Sequence, residues 1–278
     1  MDILINNKYL IINKIGEGSF GIIFKGQNTR TKEYVAIKIE PIKNRTKLLK
    51  NESIIYNYLN DCLGIPSVKW FGKDNVNYYM VINLLGESLQ NLFEKKHSFS
   101  LKLTLQIGIN IIILLKTIHD KGLVHRDIKP ENFLFGLNSD KKNIYIIDFG
   151  LCKSYLNHDN HIELKKTKNL IGSLNYASIN SHDYLELSRR DDLESLGYML
   201  VYFYLGKLNW QNMSILEYND HLNELIKQMK KNIYSNDIPE VLINYFKYVR
   251  CIEFNEKPNY FLIIDSFKRE IENISLKI

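Results

Sequence analysis

Two short motifs carry the residues of this chain whose types and spacing suit catalysis. The first, His-Arg-Asp-Ile-Lys-Pro-Glu-Asn, ends at Asn132, and the second, Asp-Phe-Gly, begins at Asp148. In phosphoryl transfer from ATP, Asp127 would accept the proton of the attacking hydroxyl and Lys129 would neutralise charge on the γ-phosphate. Asn132 and Asp148 offer the hard oxygen ligands that Mg²⁺ prefers. The motifs therefore predict phosphoryl transfer that uses ATP and Mg²⁺.

A glycine-rich segment near the start of the chain reads Gly16-Glu17-Gly18-Ser19-Phe20-Gly21. This GxGxxG pattern by itself also fits a dinucleotide-binding fold, in which it leads from a strand into a helix. The residues that follow, 22–24, read as strand, and no alternating strand–helix pattern comes after them. The pattern therefore favours a hairpin whose backbone N–H groups bind the phosphates of ATP, because glycine permits close approach.

A lysine on a predicted strand is the next candidate. In Val35-Ala36-Ile37-Lys38 the alternation places Ala36 and Lys38 on one face. A buried lysine needs a partner, since an unpaired buried charge is costly. Glu52, on the helix predicted to follow, is the best candidate for that partner. We therefore predict a catalytic Lys38–Glu52 ion pair.

The elements that position these residues follow from hydrophobic periodicity. Strands are predicted at Tyr9–Ile15, Gly21–Lys25, Tyr34–Ile39, Tyr78–Asn83 and Asn143–Ile147. Helices are predicted at Leu48–Leu59, Leu101–Lys121, Asp191–Leu205, His221–Lys231, Pro239–Cys251 and Tyr260–Ile271. The change from strands to helices near Gly86 predicts an α+β fold: one domain, 1–278, with a small antiparallel β-rich lobe (1–85) that has one main helix and a larger α-helical lobe (86–278).

Composition excludes several classes of protein. The 278 residues carry a mild net charge of +6, and 45% are hydrophobic, which is ordinary for a soluble globular protein. Three widely spaced cysteines indicate a reducing compartment without disulfides or a zinc site. No signal peptide is recognisable, and the most apolar window, Ile107–Leu115, is about half of what a membrane span needs. The basic patches are short and lack interleaved aromatics, so neither a nucleic acid nor a membrane is an expected partner.

Beyond these motifs, nearly the whole chain resembles the protein kinase superfamily and, within it, the casein kinase 1 family of serine/threonine kinases. The most specific stretches are Tyr176-Ala177-Ser178-Ile179-Asn180 and the segment Ser188–Tyr198, with Gly64–Ser67, Leu84-Leu85-Gly86 and Ile146–Leu151 in support. The resemblance implies a bilobal protein kinase fold and protein substrates. Lysine two residues after Asp127 is the serine/threonine kinase pattern.

The resemblance also implies roles for individual residues. Nucleotide contacts beyond the glycine-rich loop fall on Ile15, Ile23, Ala36, Lys38, Ile82, Leu84 and Leu85. A second anion site near the activation loop is implied for Arg126, Lys153 and Lys168. Asp192 would brace the catalytic loop from the central helix.

Two departures from the family bear on substrate choice. Asn175 stands where members carry an arginine that binds a phosphate or acidic group of the substrate. The basic run after Trp210-Gln211 is replaced by Met213–Asp220, which is apolar and acidic. Removing cationic contacts and adding carboxylates weakens recognition of anions, so we expect less preference for primed or acidic sites.

The alternative to an active kinase is a catalytically weak pseudokinase that serves as a binding scaffold, because intact motifs do not guarantee turnover. Such proteins usually lose the equivalents of Lys38, Asp127 or Asp148, and all three are present here. A monomer in the cytoplasm is expected, with passage into the nucleus left open.

Overall fold

The computed structural model describes residues 3–18, 21–43, 48–211, 213 and 219–276. The chain forms two compact units, Met1–Glu87 with Phe133–Gly150, and Ser88–Asn132 with Leu151–Ile278. The first unit is built around an antiparallel sheet and one long helix, and the second is mainly helical. This architecture confirms the predicted α+β class. The prediction of a single domain with a lobe boundary after residue 85 stays a prediction.

The sheet of the first unit has six antiparallel strands in the order β1-β2-β3-β4-β6-β5. They are β1 Leu4–Ile5, β2 Tyr9–Gly18, β3 Gly21–Asn28, β4 Tyr34–Pro41, β5 Val68–Lys73 and β6 Asn77–Asn83. One face of β4 buries Val35 and Ile37 in an apolar cluster with Tyr9 and Val81. That burial leaves the opposite face of β4, with Ala36 and Lys38, for other contacts.

Helix α1, Leu48–Tyr58, belongs to the same unit and begins at a buried carboxylate. The Leu49 N–H donates to Glu40 Oε2 at 2.8 Å, and Glu40 is fully buried at the end of β4. A carboxylate at a helix start accepts an otherwise unbonded amide and complements the helix dipole. This contact ties α1 to the strand that carries Lys38.

The second unit contains seven helices within the described residues: α2 Leu89–Lys96, α3 Leu101–Asp120, α4 Ile179–His182, α5 Arg189–Leu205, α6 Asp220–Lys231, α7 Glu240–Cys251 and α8 Tyr260–Leu276. Serine side chains cap three of them, since Ser88, Ser100 and Ser178 each accept an N–H of the first turn. The described residues also form three short two-stranded pairs. In the second unit β7 Leu123–Val124 pairs with β10 Lys153–Ser154, and β11 Leu156–Asn157 with β12 Asn160–His161; in the first, β8 Phe133–Phe135 pairs with β9 Ile144–Ile146.

Helix α5 is the centre of the second unit, as its uniformly apolar pattern predicted. Residues on all its sides are buried, including Leu193, Leu196 and Leu200 at 0% exposure. Gly197 lets α7 approach closely, because an added Cβ would lie 2.7 Å from the Phe246 ring. The helix can therefore present polar side chains of its first turns from a rigid position.

Helix α3 is 20 residues long and apolar enough, by length and composition alone, to cross a membrane. The predicted helix, Leu101–Lys121, agrees with α3 to within one residue, and the apolar window Ile107–Leu115 forms only its middle. This helix packs against α5 and α8 of its own unit, and Ile111, Ile112 and Leu115 are fully buried. Its apolar side is therefore accounted for by core packing.

Candidate active site

Lys38 lies at the centre of an ion-pair cluster in the first unit. Its Nζ is 2.7 Å from Glu52 Oε2 and 2.9 Å from Asp148 Oδ1. The side chain of Lys38 is 12% exposed and that of Glu52 2%. Strand β4 carries Lys38, helix α1 carries Glu52, and Asp148 follows strand β9. Lys38 thus contacts the partner predicted from the sequence and has Asp148 as a second one.

Burial and charge act in opposite directions on this cluster. Burial alone would lower the pKa of Lys38, but the carboxylates of Glu52 and Asp148 more than offset it and raise that pKa above its ordinary value. For Glu52, burial raises the pKa to about 7, because the attraction of Lys38 is partly cancelled by the neighbouring Asp148. Two carboxylates therefore share one cation, which stays charged throughout the physiological pH range.

Helix α1 also fixes the backbone of the Asp-Phe-Gly segment. The Asp148 N–H donates to the Tyr56 hydroxyl at 3.2 Å, and the Phe149 N–H donates to Glu52. The rings of Tyr56 and Phe149 meet edge to face with centroids 4.9 Å apart. Asp148 itself has a φ of +67°, a conformation that costs a non-glycine residue free energy and needs support from its surroundings. Glu52 and Tyr56, one helical turn apart, supply that support.

The predicted nucleotide-contacting residues of the sheet share one face. Directly paired residues of antiparallel strands project to the same side, and the register pairs Ile23 with Lys38 and Ala36 with Ile82. Since Ala36 and Lys38 are two residues apart on β4, all four side chains lie on the face opposite the buried Val35–Ile37 cluster. Leu84 and Leu85 follow β6 and are partly buried, and Ile15, at 47% exposure, lies at an irregularity of β2.

The glycine-rich segment spans the last residues of β2 and the first residue of β3, so a strand follows it and not a helix, which excludes the dinucleotide-binding alternative. Gly16, Glu17 and Gly18 pair with β3 up to Gly21. A Cβ at Gly21 would lie 2.2 Å from the Ile39 carbonyl oxygen, so only glycine fits there. Ser19 and Phe20, also predicted to bind the nucleotide, lie outside the described residues.

Asp127, the predicted base, is held by several groups of the second unit. Its Oδ1 accepts the N–H of Ser173 at 3.0 Å and the hydroxyl of Ser173 at 2.6 Å. Its Oδ2 accepts Lys129 Nζ at 2.7 Å. The side chain of Asp127 is 6% exposed. Hydrogen bonds to both oxygens hold the carboxylate in one orientation. Proton transfer requires such a fixed geometry.

Asn132 and Asp148, which belong to different units, each carry an oxygen of the kind that Mg²⁺ binds. The Asn132 amide nitrogen donates to the Asp127 carbonyl oxygen at 2.9 Å, which makes its Oδ1 the atom able to bind a cation. No group of three or more His, Cys, Asp or Glu side chains is arranged to hold a metal in the described part of the chain. Magnesium in a nucleotide complex takes most of its ligands from phosphates and water, so a protein need supply only one or two oxygen atoms. That the two residues hold one Mg²⁺ together stays a prediction.

Asp192, on the first turn of α5, braces the catalytic loop. Its two carboxylate oxygens accept the N–H groups of His125 and Arg126, each at 2.8 Å. His119 Nε2 donates to the same carboxylate at 2.9 Å, while its Nδ1 accepts the Tyr260 hydroxyl at 2.7 Å. Arg126 has a φ of +69°, so the brace acts where the backbone is strained. This bracing role, implied by the family resemblance, is present in the geometry.

The predicted second anion site already contains a carboxylate. The side chain of Glu186 is 3% exposed. Its Oε1 lies 3.3 Å from Arg126 Nη1, and its Oε2 lies 2.6 Å from Lys153 Nζ. Lys168 is exposed and makes no ion pair among the residues described. An incoming anion would therefore compete with Glu186 for two of the three predicted cations, and an anion-binding role for this cluster stays a prediction.

The two stretches that carry the family resemblance bind each other in the second unit. Asp191 Oδ1 of α5 accepts Ser178 Oγ at 2.7 Å and Asn180 Nδ2 at 2.9 Å. The Ile179 N–H donates to Glu194, one turn further along α5, at 3.2 Å. The segment around residues 176–180 is thus attached to the helix that also braces the catalytic loop.

Sequence reasoning missed Ser173, Glu186 and the role of Tyr56. Ser173 is 46 residues from Asp127, and Glu186 is 60 from Arg126, so no local spacing indicated either contact. Tyr56 lies four residues after Glu52, about one helical turn, and this spacing is the one sequence signal that it contacts the same target.

The protein kinase domain family model matches residues 9–258 of the 278. Its span includes the Lys38 cluster, the catalytic loop and the α5 brace. Protein kinase domains generally use ATP and Mg²⁺ and act on proteins. The chain belongs to the protein kinase domain family.

Proposed function

We propose that this chain is an active serine/threonine protein kinase of casein kinase 1 type, which transfers the γ-phosphate of ATP to Ser or Thr hydroxyls of proteins. The observation that carries the proposal is the assembled cluster in which Lys38 contacts both Glu52 and Asp148. A scaffold that only binds has no need to hold the buried Glu52 and the partly buried Asp148 on one lysine, because such groups are costly to desolvate.

The catalytic roles follow from what each side chain can do. Asp127 orients the substrate hydroxyl and accepts its proton. Lys129, whose Nζ lies 2.7 Å from Asp127 Oδ2, places positive charge near the γ-phosphate as its bond to the leaving group breaks. Lys38 holds the nucleotide phosphates from the sheet. Mg²⁺, held by Asn132 and Asp148, would neutralise the phosphate charge when bound.

The casein kinase 1 assignment is supported by the attachment of Ser178 and Asn180 to Asp191, since these residues lie in the two stretches most specific to that family. Serine/threonine preference is supported by Lys129, two residues after Asp127. We further propose a reduced dependence on primed or acidic sites. Its support is Asn175 in place of arginine, and an α6 start that carries Asp220. Residues 214–218, part of the replaced basic run, lie outside the described residues.

Transfer of ³²P from ATP to casein tests the activity. We expect Mg²⁺-dependent transfer by the wild type and a loss of at least a hundredfold in Asp127→Ala. Lys95→Ala, which removes a charge on the exposed side of α2, serves as the control and should keep full activity. Binding of ATP without transfer in the wild type would replace this proposal by the pseudokinase scaffold.

Substrate choice is tested with paired peptides that differ only in phosphoserine three residues before the target. The wild type should use both with similar kcat/KM, and Asn175→Arg should favour the primed peptide. A strong preference of the wild type for the primed peptide contradicts the proposed change in specificity while leaving the kinase assignment intact.

A further inference from the structure

Lys230 of α6 is a fully buried lysine that the catalytic scheme does not use. Its Nζ lies 2.8 Å from the Leu174 carbonyl oxygen, 2.7 Å from the Ala177 carbonyl oxygen and 3.0 Å from His182 Nε2. These three acceptors take all three N–H bonds of an ammonium group, whereas a neutral amine would leave one acceptor without a donor.

Aromatic rings, and not a carboxylate, complete the surroundings of this cation. The Nζ lies 4.9 Å from the centroid of the Tyr198 ring and 5.5 Å from that of Trp210, within the range of cation–π attraction. Lys230 forms no ion pair with a carboxylate in the part of the chain that the structure describes. Glu194 is close enough to act on the charge, but burial dominates and lowers the pKa of Lys230.

The histidine is arranged to accept from Lys230. His182 Nδ1 lies 2.6 Å from Asn223 Oδ1, and Asn223 Nδ2 donates to the His182 carbonyl oxygen at 2.9 Å. The amide oxygen of Asn223 requires a proton on Nδ1, which leaves the lone pair on Nε2 for Lys230. Burial, together with the charge of Lys230, lowers the pKa of His182 to about 3, so the ring is neutral at neutral pH.

The carbonyl groups that Lys230 binds lead directly to the proposed base. Leu174 follows Ser173, whose carbonyl oxygen accepts the N–H groups of Tyr176 at 2.9 Å and Ala177 at 2.8 Å in a tight turn. The N–H and the hydroxyl of Ser173 both donate to Asp127 Oδ1. The turn is therefore bonded to Lys230 through the carbonyls of Leu174 and Ala177, and to Asp127 through Ser173.

Trp210 holds the same turn at a third point. Its Nε1 donates to the Asn175 carbonyl oxygen at 2.8 Å, between the two carbonyls bound by Lys230. The carbonyls of Leu174, Asn175 and Ala177 thus all accept hydrogen bonds from side chains, two from Lys230 and one from Trp210. An apolar side chain at position 230 would fill the space without supplying donors, which is costly for buried carbonyl groups.

We propose that Lys230 is a positioning residue for phosphate transfer: it holds the turn 173–177, and through Ser173 it fixes Asp127 and the backbone next to the acceptor polypeptide. The inference rests on the proposed kinase function. Burying a cation without a carboxylate partner costs free energy. Its effect here is to hold one turn in position.

The test compares Lys230→Met, which keeps the chain length but removes all donors, with Lys230→Gln, which retains two N–H donors. Lys231→Met is the matched control, because Lys231 is adjacent and exposed and loses the same charge. Kinetics are measured with casein and ATP at a temperature where circular dichroism shows every variant folded. Amide hydrogen exchange is followed in the segment 173–183.

We expect kcat/KM for casein to fall at least tenfold in Lys230→Met and less in Lys230→Gln, with KM for ATP within twofold of the wild type. Exchange in the segment 173–183 should accelerate at least tenfold in Lys230→Met and stay unchanged in Lys231→Met. If the wild type transfers no phosphate, the kinase proposal fails, and the exchange rates still decide whether Lys230 holds the turn.

Three results would overturn the inference. One is a Lys230→Met variant with wild-type kcat/KM and exchange. Another is an equal loss of kcat/KM in Lys230→Met and Lys230→Gln that is fully explained by the smaller folded fraction of each variant. The third is failure of both variants to fold, which makes Lys230 a stability element with no separate positioning role.

Discussion

Replacing Asp192 by asparagine tests how the catalytic loop is held. The substitution keeps the shape of the side chain but exchanges one acceptor oxygen for an N–H donor. In the wild type, burial alone would raise the pKa of Asp192, but the bonds from His119 and the loop amides more than offset it and lower that pKa, so the group is ionised at neutral pH. Its two oxygens accept the N–H groups of His125 and Arg126.

The magnitude follows from the bonds that asparagine cannot make. Whichever way its amide turns, one loop N–H faces another N–H, so a hydrogen bond to a charged group, worth about 1.5–3 kcal/mol, is lost. The buried donor left without an acceptor costs about 1–3 kcal/mol more. Arg126, at a φ of +69°, also loses part of what maintains its strained backbone. The two hydrogen-bond contributions together amount to about 2.5–6 kcal/mol.

A loss of about 3 kcal/mol in the working loop geometry lowers its population on the order of a hundredfold, because about 1.4 kcal/mol is a factor of ten. We expect kcat for casein phosphorylation to fall by that amount in Asp192→Asn. The KM for ATP should change little, because Lys38 and the sheet residues lie in the other unit. Steady-state kinetics with varied ATP and varied casein separate the two effects.

Glu163→Gln is the matched control, since it makes the same charge change at an exposed position. Thermal unfolding by circular dichroism establishes that Asp192→Asn is folded at the assay temperature. If folded Asp192→Asn retains kcat within threefold of the wild type, the loop does not depend on this carboxylate and the reasoning is wrong.

Three further predictions concern other contacts. Tyr56→Phe keeps the ring but removes the hydroxyl that accepts the Asp148 N–H, so the Mg²⁺ concentration for half-maximal activity should rise about two- to tenfold; an unchanged Mg²⁺ titration counts against the contact. Gly172→Ala places a Cβ 2.6 Å from the Arg126 carbonyl oxygen at a φ of +92°, so kcat should fall at least tenfold in a steady-state assay. The folded protein keeps a proton on Glu52 up to about pH 7 that the unfolded chain releases near 4.5, so this group's stabilisation of about 3 kcal/mol is present below pH 4.5 and lost as pH rises through 7. Urea unfolding from pH 4.5 to 8 should show that the free energy of unfolding falls more with rising pH in the wild type than in Glu52→Gln. An equal fall in both proteins would contradict this prediction.

Several elements could be predicted because their signals are local. The alternation of β4 placed Ala36 and Lys38 on one face, and the structure has them there. The unbroken apolar pattern of residues 191–205 predicted the buried helix α5. Where signals were weak, elements were missed: β5, Val68–Lys73, lacks a clear alternation of apolar and polar residues, and α2, Leu89–Lys96, is short and mostly polar.

The sequence by itself determined the chemistry available to this protein, because the motif spacings set by a few consecutive residues put Asp127 near Lys129 and Lys38 on a strand. Tertiary structure alone decided what holds those groups. Lys230 meets a turn more than 50 residues earlier in the chain, and Glu186 occupies the cations Arg126 and Lys153. Such contacts depend on how whole helices pack, and packing is the sum of many distant apolar contacts that leave no period or motif in the sequence.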